Sequence, residues 1–342
     1  MIKRSALFSS LLILAQVGCV SAQPAQQLKI TVRDDRGAPI EDAEVSVHFR
    51  PYKGEPEIVT KPTDEGGYVE ITGNAPLPPH VFVRKEGFYE SRFENVGVVT
   101  PANAKSALAS KSLEVVLRKM LDPRPLAAKD TELEIPVKGE WLGYDLELGD
   151  WIKPHGKGER SDLLLRYENE FLGYTVSDAK LEEIRAIMKR WSTKNGKEWT
   201  TEMERNAHGK WSGKLELKFP GEKEGILPVP MGSGYVAESL LHLPHNAEEA
   251  GYKPRMIWEQ TMPSQRIDQR KGYFLRLRVR ERNGQILEAN YAKINEEVQF
   301  DPRGKVTFTY YFNPDVNDRN LEFDTNENLL TLESVGEQVR LP

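Results

Sequence analysis

The sequence predicts an all-β protein made of two β-sandwich domains, the second larger, of plain or jelly-roll type, with one docked α-helix. Three observations carry that prediction. Short runs alternate apolar and polar residues with a period of two, as half-buried strands do. Gly, Pro and Asp punctuate the runs roughly every dozen residues, where turns need them. One stretch only, 178–191, shows a sustained helical period.

Residues 1–22 read as a signal peptide rather than as part of a fold. Lys3 and Arg4 give the positive start, Ala6 to Ala15 the apolar run, and Val20-Ser21-Ala22 the small-residue exit. The run is too short to span a bilayer. An overlapping exit, Gln16-Val17-Gly18-Cys19, is similar to a lipobox and would make Cys19 a lipid anchor, although Gln16 stands where such motifs carry an aliphatic residue. Soluble export is the favoured expectation, to the periplasm or beyond the cell, with an outer-membrane lipoprotein as the alternative. Cys19 is the one cysteine, so the mature chain has no disulfide, thiol nucleophile or thiolate zinc site.

Residues 26–118 carry the first sandwich. Leu28, Ile30 and Val32 alternate with polar neighbours; Ala43, Val45, Val47 and Phe49 do the same after the turn Asp34-Asp35-Arg36-Gly37. Tyr68 to Ile71, Val81 to Val83 and Leu113 to Leu117 complete the set. The run Val32-x-Asp34-x-x-Gly37-Ala38-Pro39-Ile40-x-x-Ala43-x-Val45-x-Val47 resembles the opening of carboxypeptidase regulatory-like domains. Thr63-Asp64-Glu65-x-Gly67-Tyr68 and Val81-x-Val83-x-Lys85-x-Gly87-Phe88 match later turns of that family. The resemblance implies a transthyretin-like accessory sandwich without catalytic residues; no peptidase activity is implied, and the chain has no H-x-x-E zinc pair.

Residues 119–137, with Asp122-Pro123-Arg124-Pro125, read as a linker. Residues 138–342 form the second domain and hold all six tryptophans. Strands are expected at 141–148, 162–167, 171–176, 214–219, 273–279 and 306–312. Ser177 can cap the helix at 178–191, whose stripe Ala179, Leu181, Ile184, Ile187, Met188 and Trp191 should face the core; a second short helix is expected at 246–250. The closing run Tyr311-Phe312-Asn313-Pro314 … Asn320-Leu321-Glu322-Phe323-Asp324 is similar to the ends of uncharacterised exported bacterial proteins, which implies no activity.

With 52 acidic and 47 basic residues, nucleic acid is an unlikely partner by charge alone. Exposed aromatic rings stack on sugar faces while acids and amides bind hydroxyls. Trp141, Tyr144 and Trp151, in a Gly- and Asp-rich context, and Trp199 and Trp211, flanking a polar stretch with Asn206 and His208, are therefore the candidate ligand-binding residues, with polysaccharide as the partner. No cofactor motif occurs; structural calcium is considered at Asp315, Asn317 and Asp318, although the EF-hand pattern fails there. His242 and His245 are separated by Pro244 and lack a third ligand, Gly232-Ser233-Gly234 lacks the nucleophile-elbow spacing, and Arg276, Arg278, Arg280 and Arg282 would line one strand face. Three functions stay open: a non-catalytic binding or cell-surface protein for carbohydrate, a polysaccharide hydrolase or lyase, and a structural or assembly protein of the envelope.

Overall fold

The structure, a computed structural model, describes residues 25–97, 109–231, 239–262 and 271–342. Residues 1–22, where a signal peptide is expected, Cys19 among them, and Gly232-Ser233-Gly234 lie outside the described residues. The protein is all-β, as its alternation predicts, with two α-helices among the described residues.

The first sandwich comprises β1 (Ala25–Asp34), β2 (Glu44–Phe49), β3 (Glu57–Pro62), β4 (Tyr68–Asn74), β5 (His80–Arg84), β6 (Ser91–Phe93) and β7 (Ala109–Leu117). One sheet has the order β4-β1-β7, with β1 and β7 parallel; the other, antiparallel, has β3-β2-β5-β6. Leu28, Ile30 and Val32 meet Val45, Val47 and Phe49 between them, all wholly buried. Two Asp-x-x-Gly turns set the register. Asp34 Oδ1 accepts from the N–H of Arg36 and Ala38, and Asp64 Oδ1 from those of Gly66 and Tyr68, at 2.8–3.0 Å. Gly67 sits at φ 73°, and a Cβ there would stand 2.3 Å from the Val32 carbonyl, so no other residue fits.

The second sandwich comprises β8 (Arg124–Glu134), β9 (Leu142–Asp145), β10 (Asp150–Trp151), β11 (Leu163–Tyr174), α1 (Asp178–Asn195), α2 (Thr201–His208), β12 (Gly209–Lys218), β13 (Gly225–Pro230), β14 (Arg255–Met262), β15 (Lys271–Arg282), β16 (Gln285–Asp301), β17 (Lys305–Asn313) and β18 (Phe323–Asn328). A five-stranded sheet, β10-β9-β11-β12-β14, packs on a six-stranded one, β13-β15-β16-β17-β8-β18. Leu165, Leu215 and Leu217 from the first face Leu275, Ile294, Phe308 and Phe312 from the second. Hairpins between sequence neighbours dominate both sheets, so the arrangement is a pair of meanders rather than a jelly roll.

Three expectations need correction. Residues 119–137 are not a linker throughout, because 124–134 form β8, hydrogen-bonded to β17 in the register Ala127↔Phe312. Ala127 faces the main core while Leu126 and Ala128 pack beneath Tyr311 and Phe323, so both faces are covered and the period of two disappears. The helix at 178 exists, but its stripe is not docked: Leu181 is its one buried residue, and Ile187 and Trp191 are 47% and 40% exposed. Residues 246–250 are not helical; the second helix is α2.

Candidate functional site

Both helices lie in the connection between neighbouring strands β11 and β12, and their caps shape what stands between them. Ser177 accepts from the Lys180 N–H to start α1; Gly196, at φ 65°, ends it in the left-handed conformation and turns the chain back. Thr200 Oγ1 then accepts from the Met203 N–H at 3.1 Å and starts α2. Trp199 is thereby pinned in the short segment joining two capped ends.

A charged clasp holds the helices together. Arg185 of α1 donates twice to Glu204 of α2, from Nε to Oε2 at 2.8 Å and from Nη2 to Oε1 at 2.7 Å; the Tyr174 hydroxyl donates to the same carboxylate at 2.7 Å. The Arg185 hydrogen bonds, followed by that of Tyr174, outweigh desolvation and hold Glu204 down at about 2. Glu204 is therefore ionised and fully engaged at neutral pH.

Above the clasp lies a cleft of about 440 Å³ lined by Arg185, Lys189, Ser192, Trp199, Thr200 and Glu204 among others. The Trp199 indole N–H and the Ser192 hydroxyl are buried there without a hydrogen-bond partner. Leaving such a group unserved costs roughly 1–3 kcal/mol. Lys189 forms no ion pair among the described residues, so a cation, an indole donor, a hydroxyl and part of an aromatic ring converge on one space. That set suits a ligand rich in hydroxyl or carboxylate oxygens. A larger groove of about 570 Å³ along β11, β12 and β14 has Asn169, Lys214, Glu259 and Gln260 in its lining and no aromatic ring.

The five aromatic candidates separate. Trp199 lines the cleft. Tyr144 is wholly buried and Trp151 is 7% exposed, the two meeting edge to face at 5.4 Å, so neither offers a stacking platform. Their Gly- and Asp-rich context is structural: Asp145 accepts from the backbone N–H groups of Glu147, Leu148, Glu159 and Arg160, and Asp150 from those of Trp151 and Lys157. The Trp141 ring carries the Lys218 ammonium at 4.0 Å and the Arg166 guanidinium at 4.9 Å. Trp211 donates to the Arg205 carbonyl at 3.1 Å and packs on Phe171. Asn206 and His208 contribute backbone carbonyls, to Arg303 and Thr175.

The other candidates are likewise placed. Arg124 stands 3.8 Å from Asp315 and 3.4 Å from Asp318, and Asn317 bonds to the backbone of Leu287 and Ala289, so a guanidinium already supplies the positive charge where calcium was considered. Among the described residues no group of three His, Cys, Asp or Glu is arranged for a metal. The arginine row does not share a face: at a bulge after Leu277, Arg278 adopts φ 53° and bonds to Asp162 at 2.7 and 2.9 Å in near-complete burial. Arg185, Lys189 and Ser192 were missed by the sequence reading, although their i, i+4, i+7 spacing puts them on one helix face.

No protein-family model matches the chain, and no curated protein matches it. Among solved structures, chlorocatechol 1,2-dioxygenase from Pseudomonas putida is similar over 28% of this chain at 17% identity and TM-score 0.24, and the chain spans 61% of that protein's length. A DUF3823 family protein from Parabacteroides merdae is similar over 85% of this chain and 100% of its own, at 6% identity and TM-score 0.18. The major pilin SpaD from Corynebacterium diphtheriae is similar over 90% and 96%, at 10% identity and TM-score 0.20. At such scores none of these likenesses bears on activity, and the functional reading rests on the site.

Proposed function

We propose that the protein is an exported, non-catalytic binding protein of the bacterial surface whose α1–α2 cleft binds carbohydrate. The observation that carries this reading is the pair of unserved groups, Trp199 N–H and Ser192 hydroxyl, in an open cleft beside Lys189. A pyranose offers ring oxygens and hydroxyls to those groups and a CH face to the indole. Hydrolysis fits less well. A glycosidase works with a pair of carboxyls, and of the cleft's two, Glu198 and Glu204, the second is clamped in its ionised form by Arg185 and Tyr174.

The test is affinity electrophoresis of the mature protein through gels containing neutral, uronic-acid or sulfated polysaccharides. Selective retardation is expected, reduced about tenfold in affinity by Trp199→Ala, a loss typical of a central aromatic contact. Trp199→Phe, which keeps a ring and removes the N–H, should fall between. Retardation in none of the gels, or retardation indifferent to both variants, defeats the proposal.

A further inference from the structure

The two sandwiches meet where Tyr89 reaches Glu322 and where residues 239–247 cross between them, and a lysine near that seam is buried without a hydrogen-bond partner. Lys293 on β16 is wholly buried, and its Nζ has no hydrogen-bond partner; it stands 4.3 Å from the centre of the Tyr311 ring on β17. Asn295, two residues along β16, gives its amide N–H to the Tyr311 hydroxyl, and its Oδ1 is buried without bonding to the lysine or to any other donor. An ammonium buried without acceptors is far costlier than the neutral amine.

Residues 239–247 cross the seam as a strap. The Leu240 N–H donates to the Glu90 carbonyl at 2.9 Å, Ser239 pairs with Ser91 of β6, and His245 Nε2 bonds to the Lys119 carbonyl at 2.7 Å. Glu322, wholly buried, is the seam's central carboxylate. It accepts from the Tyr89 hydroxyl of the first sandwich at 2.8 Å and from the N–H groups of Leu121 and Asp122 at 2.9 and 2.8 Å. His245 lies 4.0 Å from the same carboxylate. Glu322 is thus occupied by the joint itself. Lys293 and the strap's His242, whose Nδ1 is buried without a partner, act on each other as two bases, and the charge of Arg118 bears on both.

We propose that this seam is a proton-operated latch, in which the two sandwiches are clamped while Lys293 is neutral and part when it takes up a proton. Burial is the main cause that pushes Lys293 down to about 7; Glu322 opposes the fall and Arg118 adds to it. Burial, then Lys293, then Arg118, push His242 down to about 4. The direction follows from linkage. Between the ordinary lysine value of 10.5 and about 7, the parted form holds a proton that the clamped form lacks. Each unit of acidification across that window weakens closure by about tenfold. His242 acts in the same sense between 6.5 and about 4.

Hydrogen exchange on the full mature chain tests this, read at the amides of Leu121, Asp122 and Leu240 and corrected for the intrinsic pH dependence of exchange. In the wild type their opening should rise about tenfold per unit from pH 9 to pH 7, and in Lys293→Met it should be flat. A flat wild type, or equal slopes in both proteins, overturns the latch. If Lys293→Met does not fold, Tyr89→Phe serves instead: it removes one donor of the clamp and should raise exchange at pH 9. Unchanged exchange in that variant overturns the proposal equally.

Discussion

The α1–α2 cleft and the seam between the sandwiches share one feature, polar atoms buried without partners, and differ in everything around them. In the cleft the unserved atoms belong to neutral groups, Trp199 and Ser192, beside open space that water or a ligand can fill. At the seam the unserved atom is an amine under a β-sheet, where its remaining freedom is to lose its proton. The difference teaches how to read such atoms. Beside an open cleft, an orphaned neutral donor points to a ligand; under a closed sheet, an orphaned base points to a titration.

The largest effect expected from breaking this comparison is at the seam. Glu322→Ala strands the Tyr89 hydroxyl and two backbone N–H groups, and should cost about 3–5 kcal/mol in urea unfolding. Next comes the clasp beneath the cleft. Arg185→Met leaves Glu204 without its main partner and should lower the urea-unfolding midpoint, by less than Glu322→Ala because Arg185 is exposed and its pairing screened by solvent. Its signature is acid sensitivity. Glu204 is held at about 2 against an ordinary 4.5, so its contribution is whole above 4.5 and lost as pH falls toward 2. Melting of the wild type through that window should show the loss, and the variant should lack it. Smaller still is Trp199→Ala, about tenfold in polysaccharide affinity with melting little changed. Smallest is Trp141→Ala, whose ring already carries Lys218 and Arg166: retardation in gels should be the same as for wild type.

Strands with one buried face were legible in the sequence, because burial on one side only writes a period of two. β1 shows it plainly, and β17 does over 305–310. Strands at either extreme were not. β8 is covered on both faces, and β3 is exposed almost throughout, so neither alternates. Helical periodicity located α1 within a few residues, but it states which side chains share a face and not what covers them; α1 keeps Ile187 and Trp191 in solvent. The site was half legible. Trp199 was named among the candidates, yet the Asp and Gly residues near Tyr144 and Trp151 gave a false lead, since short acids that fold back on backbone N–H groups look in sequence like acids displayed to a ligand. Arg185, Lys189 and Ser192 became part of a site only because the Gly196 turn brings α2 against α1.

The position of that helical pair in the chain has a consequence for how the protein can change. Apart from Tyr174, every named member of the cleft and its clasp comes from one continuous stretch, 185–204, spliced into a hairpin whose strands still pair directly at Tyr174↔Gly209. The sheet closes beneath the insertion. The proposed site is therefore a cassette that can be lengthened, re-sequenced or exchanged while the scaffold's pairing stays in register, and a graft of residues 174–209 onto another hairpin would carry the clasp and cleft with it.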